Sequence, residues 1–116
     1  MFKKMTVLFL AVAFLGTGFS YAQTSIQEKL AVLDENRHAP ADFAEVIDYI
    51  HAYHPTYSDA EIGELLIQSF SEIQKRTPDV AMYDVAINLK TFCRDELGID
   101  LKEFIVAYTK AQLYRY

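Results

Sequence analysis

The chain has 116 residues, of which 52% are hydrophobic and 23% charged, with one cysteine and a formal net charge of −5. A single cysteine excludes an internal disulfide and a cysteine-rich zinc site, and an acidic chain without a basic run argues against binding to nucleic acid or anionic membranes. The length suffices for one small domain held together by packing.

The first 22 residues have the layout of a secretory signal peptide. A short basic segment ends at Lys4, an apolar run extends from Met5 to Leu15, and small residues at Ser20 and Ala22 precede the expected cleavage point. The run of about 11 residues is shorter than the roughly 20 that span a bilayer. We therefore predict cleavage after Ala22 and a mature domain over residues 23–116 in the bacterial periplasm or exterior, with an uncleaved anchor as the alternative.

Capping patterns predict where the first two helices begin. Ser25 and Glu28 match a capping box, and apolar residues at helical spacing indicate a first helix from about Ser25 to Asn36. Pro40 suits the first position of a second helix, because the N–H that proline lacks has no helical partner there. That helix is predicted to stop at Pro55.

The same logic predicts three more helices. Ser58 opens a third helix that ends near Arg76, and the segment Thr77-Pro78-Asp79 supplies a cap, a proline and an acid for a fourth, which we extend to Leu97. Gly98 is expected to end that helix in the left-handed region, and Asp100 to cap a fifth helix. The predicted fold is all-α: a compact bundle of four to five short antiparallel helices.

The fourth helix has the widest apolar arc and is predicted to lie at the centre of the bundle. Met82, Leu89 and Phe92 are placed on its inward face, together with Cys93. A cysteine on an apolar helical face is usually a small buried hydrophobe. We therefore expect Cys93 to be buried.

Four side chains that could bind a metal recur three residues apart: Glu45, Asp48, His51 and His54. Neighbours at this spacing approach each other, but each step drifts by about 60° around the helix, so only adjacent pairs could share one ion. We predict no metal site here and no cofactor. A related stretch, Asp34 to Glu45, has the length of a calcium loop but carries Ala39 where the turn needs glycine.

Tyrosines are concentrated in two places, with Tyr49, Tyr53 and Tyr57 beside the histidines and Tyr114 and Tyr116 near the C-terminus. Tyrosine combines a large apolar ring with a polar tip and is common in binding surfaces. We predict that these five form a binding surface, the alternative being that they rim the core. Tyr49 is expected to point away from the apolar stripe, and His54 to face the core.

The chain lacks the motifs of nucleophilic catalysis: Cys93 has no histidine near it in sequence, and there is no glycine-rich turn or phosphate loop. We predict a non-catalytic protein that binds another protein in the envelope or outside the cell, as an inhibitor, immunity factor or small chaperone. A carrier of a small apolar ligand is the first alternative. A metal-dependent hydrolase using His51 and His54 is the second.

Overall fold

The computed structural model describes residues 25–93 and 98–115. Within them lie five helices and no strand, which confirms the all-α prediction: α1 (Ile26–Leu33), α2 (Pro40–Tyr53), α3 (Asp59–Arg76), α4 (Met82–Cys93) and α5 (Leu101–Arg115). The predicted signal peptide and its cleavage point fall outside the described residues. In the part that is described, no helix is both long and apolar enough to cross a membrane.

The predicted helix starts at Ser25 and Ser58 are confirmed. Each serine hydroxyl accepts a hydrogen bond from the backbone N–H three residues later, at 3.1 Å in both cases. The glutamates of the two boxes, Glu28 and Glu61, accept in return from the serine N–H groups. Pro40 occupies the start of α2 as expected. Local hydrogen bonds thus satisfy the helix ends that have no intrahelical partner.

All five helices contribute to one apolar core. Close approach of α1 and α3 depends on Gly63, because a Cβ at that position would overlap Cγ1 of Ile26. Cys93 is buried, as predicted. The largest fully buried apolar side chains are Leu30, Phe43, Val46, Ile47, Ile50, Ile62, Leu66, Met82, Val85, Leu89 and Leu101.

The first helix is shorter than predicted, because α1 ends at Leu33 rather than at Asn36. The N–H of Glu35 donates to the carbonyl of Val32, and the N–H of Asn36 to that of Ala31. These two bonds are the pair that defines a Schellman termination. Glu35 and Asn36 have φ values of 58° and 59°, a left-handed region in which this motif usually has glycine.

The predicted start of the fourth helix was also wrong, because α4 begins at Met82 and not at Thr77. The Val80 N–H donates to the Thr77 carbonyl at 3.0 Å, so Pro78 lies in a tight turn. Proline fits the second residue of such a turn and the first position of a helix equally well, since both need the same φ. Local sequence alone does not separate the two.

The prediction that Phe92 lies on the inward face of α4 was wrong, because this side chain is 49% exposed. Leu33, at the end of α1, is also 40% exposed. Phe92 borders a surface cleft that is also lined by Ile99 and Ala107. The apolar arc of α4 is therefore wider than the face that the core covers.

Candidate functional site

The four residues considered for a metal do not converge. Glu45 and Asp48 are exposed on α2. The Nδ1–H of His51 donates to the carbonyl of Tyr57 at 2.8 Å, which ties the end of α2 to the loop that follows it. His54 is half-buried, and its Nε2 is enclosed without a hydrogen-bond partner among the described residues. No group of three or more His, Cys, Asp or Glu residues in the described ranges could hold a metal ion.

Tyr57 is a bridging residue between the α2–α3 connection, residues 54–58, and α5. Its hydroxyl donates to the Asp100 carboxylate, with oxygen–oxygen distances of 2.6 and 2.7 Å. Asp100 also accepts from the Lys102 N–H at 3.1 Å, so it caps α5 as predicted. The shared hydrogen bond raises the pKa of the Tyr57 phenol and lowers the pKa of the Asp100 carboxyl.

The remaining predicted tyrosines have different surroundings. Tyr49 packs against the core and contacts Tyr53, with ring centroids 5.3 Å apart, so the expectation that it points away from the apolar stripe was wrong. The ammonium of Lys90 lies 5.0 Å from the Tyr49 ring. Tyr53 is 50% exposed and Tyr114 is 85% exposed. Tyr116 lies outside the described residues.

Asp34 is a buried, hydrogen-bonded residue whose structural role the sequence did not predict. Its side chain is fully buried, and its two oxygens accept from the Tyr83 N–H at 3.0 Å and from His38 Nδ1 at 2.8 Å. Tyr83 is the second residue of α4, where a helix N-terminus needs an acceptor. Ala81, at the cap position, has no side-chain oxygen, so Asp34 caps α4 from 49 residues away.

His38 completes this arrangement by stacking on the Tyr83 ring, with centroids 3.7 Å apart and planes 13° from parallel. The edge of Phe43 meets the same ring at a centroid distance of 5.4 Å. The Asp34 carboxylate is therefore fixed by the N-terminus of α4, and the His38 imidazole by its stack on the Tyr83 ring, which Phe43 supports in turn. We assign the Asp34–His38–Tyr83 cluster to holding α4 on α2.

A different kind of surface lies between α3 and α5. These helices begin at the same end of the bundle, because Tyr57 and Asp100, which closely precede them, are hydrogen-bonded. Farther along, the hydroxyls of Ser69 and Thr109 meet at 2.7 Å in a buried contact. Above it runs a cleft of about 270 Å³, the α3–α5 groove, lined by Leu65, Gln68, Ser69, Glu72, Lys102, Ile105, Val106, Thr109, Lys110 and Leu113.

The charged side chains of the α3–α5 groove differ between its two walls. On the α3 wall, Glu72 is paired with Lys75 at 3.0 Å. On the α5 wall, neither Lys102 nor Lys110 forms an ion pair with a described carboxylate. Between them stands Val106, which is 47% exposed. Val106 on the α5 wall thus has a lysine one helical turn away in each direction, and Glu103, which does not line the groove, borders the neighbouring cleft.

Comparisons with protein-family models, with curated proteins and with solved structures found no match.

Proposed function

We propose that this protein is non-catalytic and acts outside the cytoplasm by binding another protein, in the manner of an inhibitor, an immunity factor or a small chaperone. The single observation that supports this proposal best is the α3–α5 groove. Val106 in this groove is exposed, while its neighbour Ile105, which also lines the groove, is buried. A hydrophobic groove between two helices is a recurrent form of docking site for a segment of another protein.

Two of the tyrosines predicted for binding adjoin this groove, Tyr114 at one end and Tyr57 at the other. Tyr114 follows Leu113, the last groove residue, and is 85% exposed. The Tyr57 hydroxyl is already engaged by Asp100 in an exposed hydrogen bond, and Tyr49 packs against the core. We therefore place the principal contact on α5, with Tyr114 at its margin, and the cluster around Tyr53 outside it.

The carrier alternative receives less support from the geometry. A carrier buries most of its ligand in a cavity of a few hundred Å³. The clefts described here, including one of about 370 Å³ beside Tyr83 and Tyr108, are open to solvent. Neither His51 nor His54 lines the clefts described here, so the hydrolase alternative also receives less support.

Site-specific photocross-linking tests the proposal. We place a photoreactive p-benzoylphenylalanine at position 106, and as a matched control at exposed Asp48 on α2, which does not pack against α5. Irradiation in producing cells is expected to give discrete adducts from position 106 that are absent at position 48. Excess wild-type protein should compete them away. Equal labelling at both positions, or none at position 106, would contradict the proposal.

A further inference from the structure

We infer that the occupant of the α3–α5 groove is an amphipathic helix of another protein, about three turns long, with acidic side chains on the flank that lies over α5. The inference rests on the proposed protein-binding function and specifies the chemistry of the partner. Three properties of the groove lead to it: the form of its walls, its composition and the two lysines on its α5 wall that pair with no described carboxylate.

The form of the walls favours a helix. On α3 the lining residues recur at helical spacing, from Leu65 to Glu72, and on α5 they run from Lys102 to Leu113. At 1.5 Å per residue the α5 wall is about 16 Å long, the length of about three helical turns. Two helices side by side, with a groove between them that is mainly apolar apart from the Ser69–Thr109 pair, form the kind of site in which an amphipathic helix binds through residues at i, i+3, i+4 and i+7.

Composition disfavours the other common modes of peptide recognition. Addition of a strand requires an exposed sheet edge, and the described residues include no strand. Recognition of a proline-rich segment uses aromatic-lined grooves, whereas the groove residues are aliphatic or polar, with Leu65, Ile105 and Leu113 as the apolar bed. These aliphatic side chains suit contact with leucine and similar apolar residues on one face of a bound helix.

Charge determines which flank the helix presents. The described residues include five lysines, and three of them are engaged: Lys29 with Glu64, Lys75 with Glu72 and Lys90 over the Tyr49 ring. The other two are Lys102 and Lys110, both exposed and both on the α5 wall. In a chain with a net charge of −5, the two described lysines that have neither an ion pair nor a ring contact thus lie on either side of Val106. Carboxylates on the partner complement them.

The same charges argue against two other occupants. The chain's own segment before Ser25 is apolar, but it contains Lys3 and Lys4 and no acidic residue, so it has the wrong sign. A second copy related by a two-fold axis would bring the same wall, with Lys102 and Lys110, against itself. Like charges at close range oppose that contact.

The test uses helical peptides with the purified, cell-processed protein. A phage library of N-capped peptides of about 14 residues, about four turns of helix, has an aliphatic stripe fixed and its flanks randomised. We expect selected peptides to carry Glu or Asp on one flank. The charge reversal K102E/K110E replaces two exposed lysines with glutamate, which is also a good helix former. It should lower the affinity for the acidic peptides at least about tenfold and raise the affinity for peptides with lysine in place of the acidic residues. Fluorescence anisotropy at low and high salt measures the affinities of the wild-type protein and the variant for both kinds of peptide.

Each other result overturns the inference. Selected peptides without acidic bias, no binders at all, or affinities that K102E/K110E leaves unchanged would show that the occupant is of another kind. Self-association in sedimentation experiments that is lost in Val106→Gln would identify a second copy instead. Cross-linking from position 106 decides separately whether the groove binds protein, so failure of the helix proposal and failure of the function are distinguishable.

Discussion

The two connections on either side of α2 each hold the beginning of a distant helix, but in opposite ways. In the α1–α2 connection, residues 34–39, the loop itself supplies a carboxylate, and Asp34 caps α4 from a fully buried position. In the α2–α3 connection the loop supplies a hydroxyl, and Tyr57 binds a carboxylate, Asp100, that already caps α5. A buried acceptor has no water to replace its partners, whereas an exposed one does. The first connection should therefore contribute far more to stability.

Replacing Asp34 with alanine has the largest expected effect. The change leaves the Tyr83 N–H and His38 Nδ1 without their acceptor and opens a small void, so the free energy of unfolding should fall by about 2 to 4 kcal/mol. Urea denaturation followed by circular dichroism measures the loss. The matched control is Asp48→Ala on the exposed face of α2, expected to stay within about 0.5 kcal/mol of wild type. A loss below about 1 kcal/mol for Asp34→Ala would contradict the claim that the buried cap in the α1–α2 connection contributes strongly to stability.

The contrast also explains which parts of the molecule were predictable. Helix starts at Ser25, Ser58 and Asp100 depend on hydrogen bonds that span two or three residues, so the sequence pattern suffices to locate them. The role of Asp34 depends on a partner 49 residues away. A helix start without a side-chain cap, such as that at Ala81, signals that an acceptor must come from elsewhere, but it does not say from where.

The end of α1 and the groove escaped prediction for related reasons. Schellman termination is recognised by glycine, and here Glu35 takes the left-handed position without one. On α5, apolar residues occur on both the covered and the open sides, with Ile105 buried and Val106 exposed. Periodicity reports that a helix is amphipathic, but it does not report which part of a wide apolar arc a neighbouring helix covers.

His38 offers a way to separate stacking from hydrogen bonding within the Asp34–His38–Tyr83 cluster. His38→Ala removes both the ring stacked on Tyr83 and one partner of the buried carboxylate, and should cost about 1 to 2 kcal/mol of unfolding free energy. His38→Phe retains the stack and removes only the donor. If the buried carboxylate dominates, the two variants lose similar stability in urea denaturation. Full recovery in His38→Phe would instead assign the stabilisation to the aromatic stack.

The smallest effect is expected at Tyr57, and it should depend on pH. Tyr57→Phe preserves the ring that packs against the core and the cap that Asp100 gives to α5, so only the exposed hydrogen bond is lost. That bond lowers the pKa of Asp100 below its ordinary 3.8, so its stabilisation is present above that value and is lost as the pH falls through the folded-state pKa. It raises the pKa of Tyr57 above 10.0, so the stabilisation is present below that value and is lost as the pH rises through the folded-state pKa.

The stability difference between wild type and Tyr57→Phe should therefore form a plateau between about pH 5 and pH 9 and decline on both sides. Urea denaturation across this range measures it, with Tyr114→Phe as a control, since that side chain is 85% exposed and its variant should match wild type at every pH. A difference that stays constant down to about pH 2 would mean that the substitution disturbs packing and that the hydroxyl contributes nothing. A plateau larger than the loss in Asp34→Ala would reverse the order of the two connections, because an exposed bond would then outweigh a buried one.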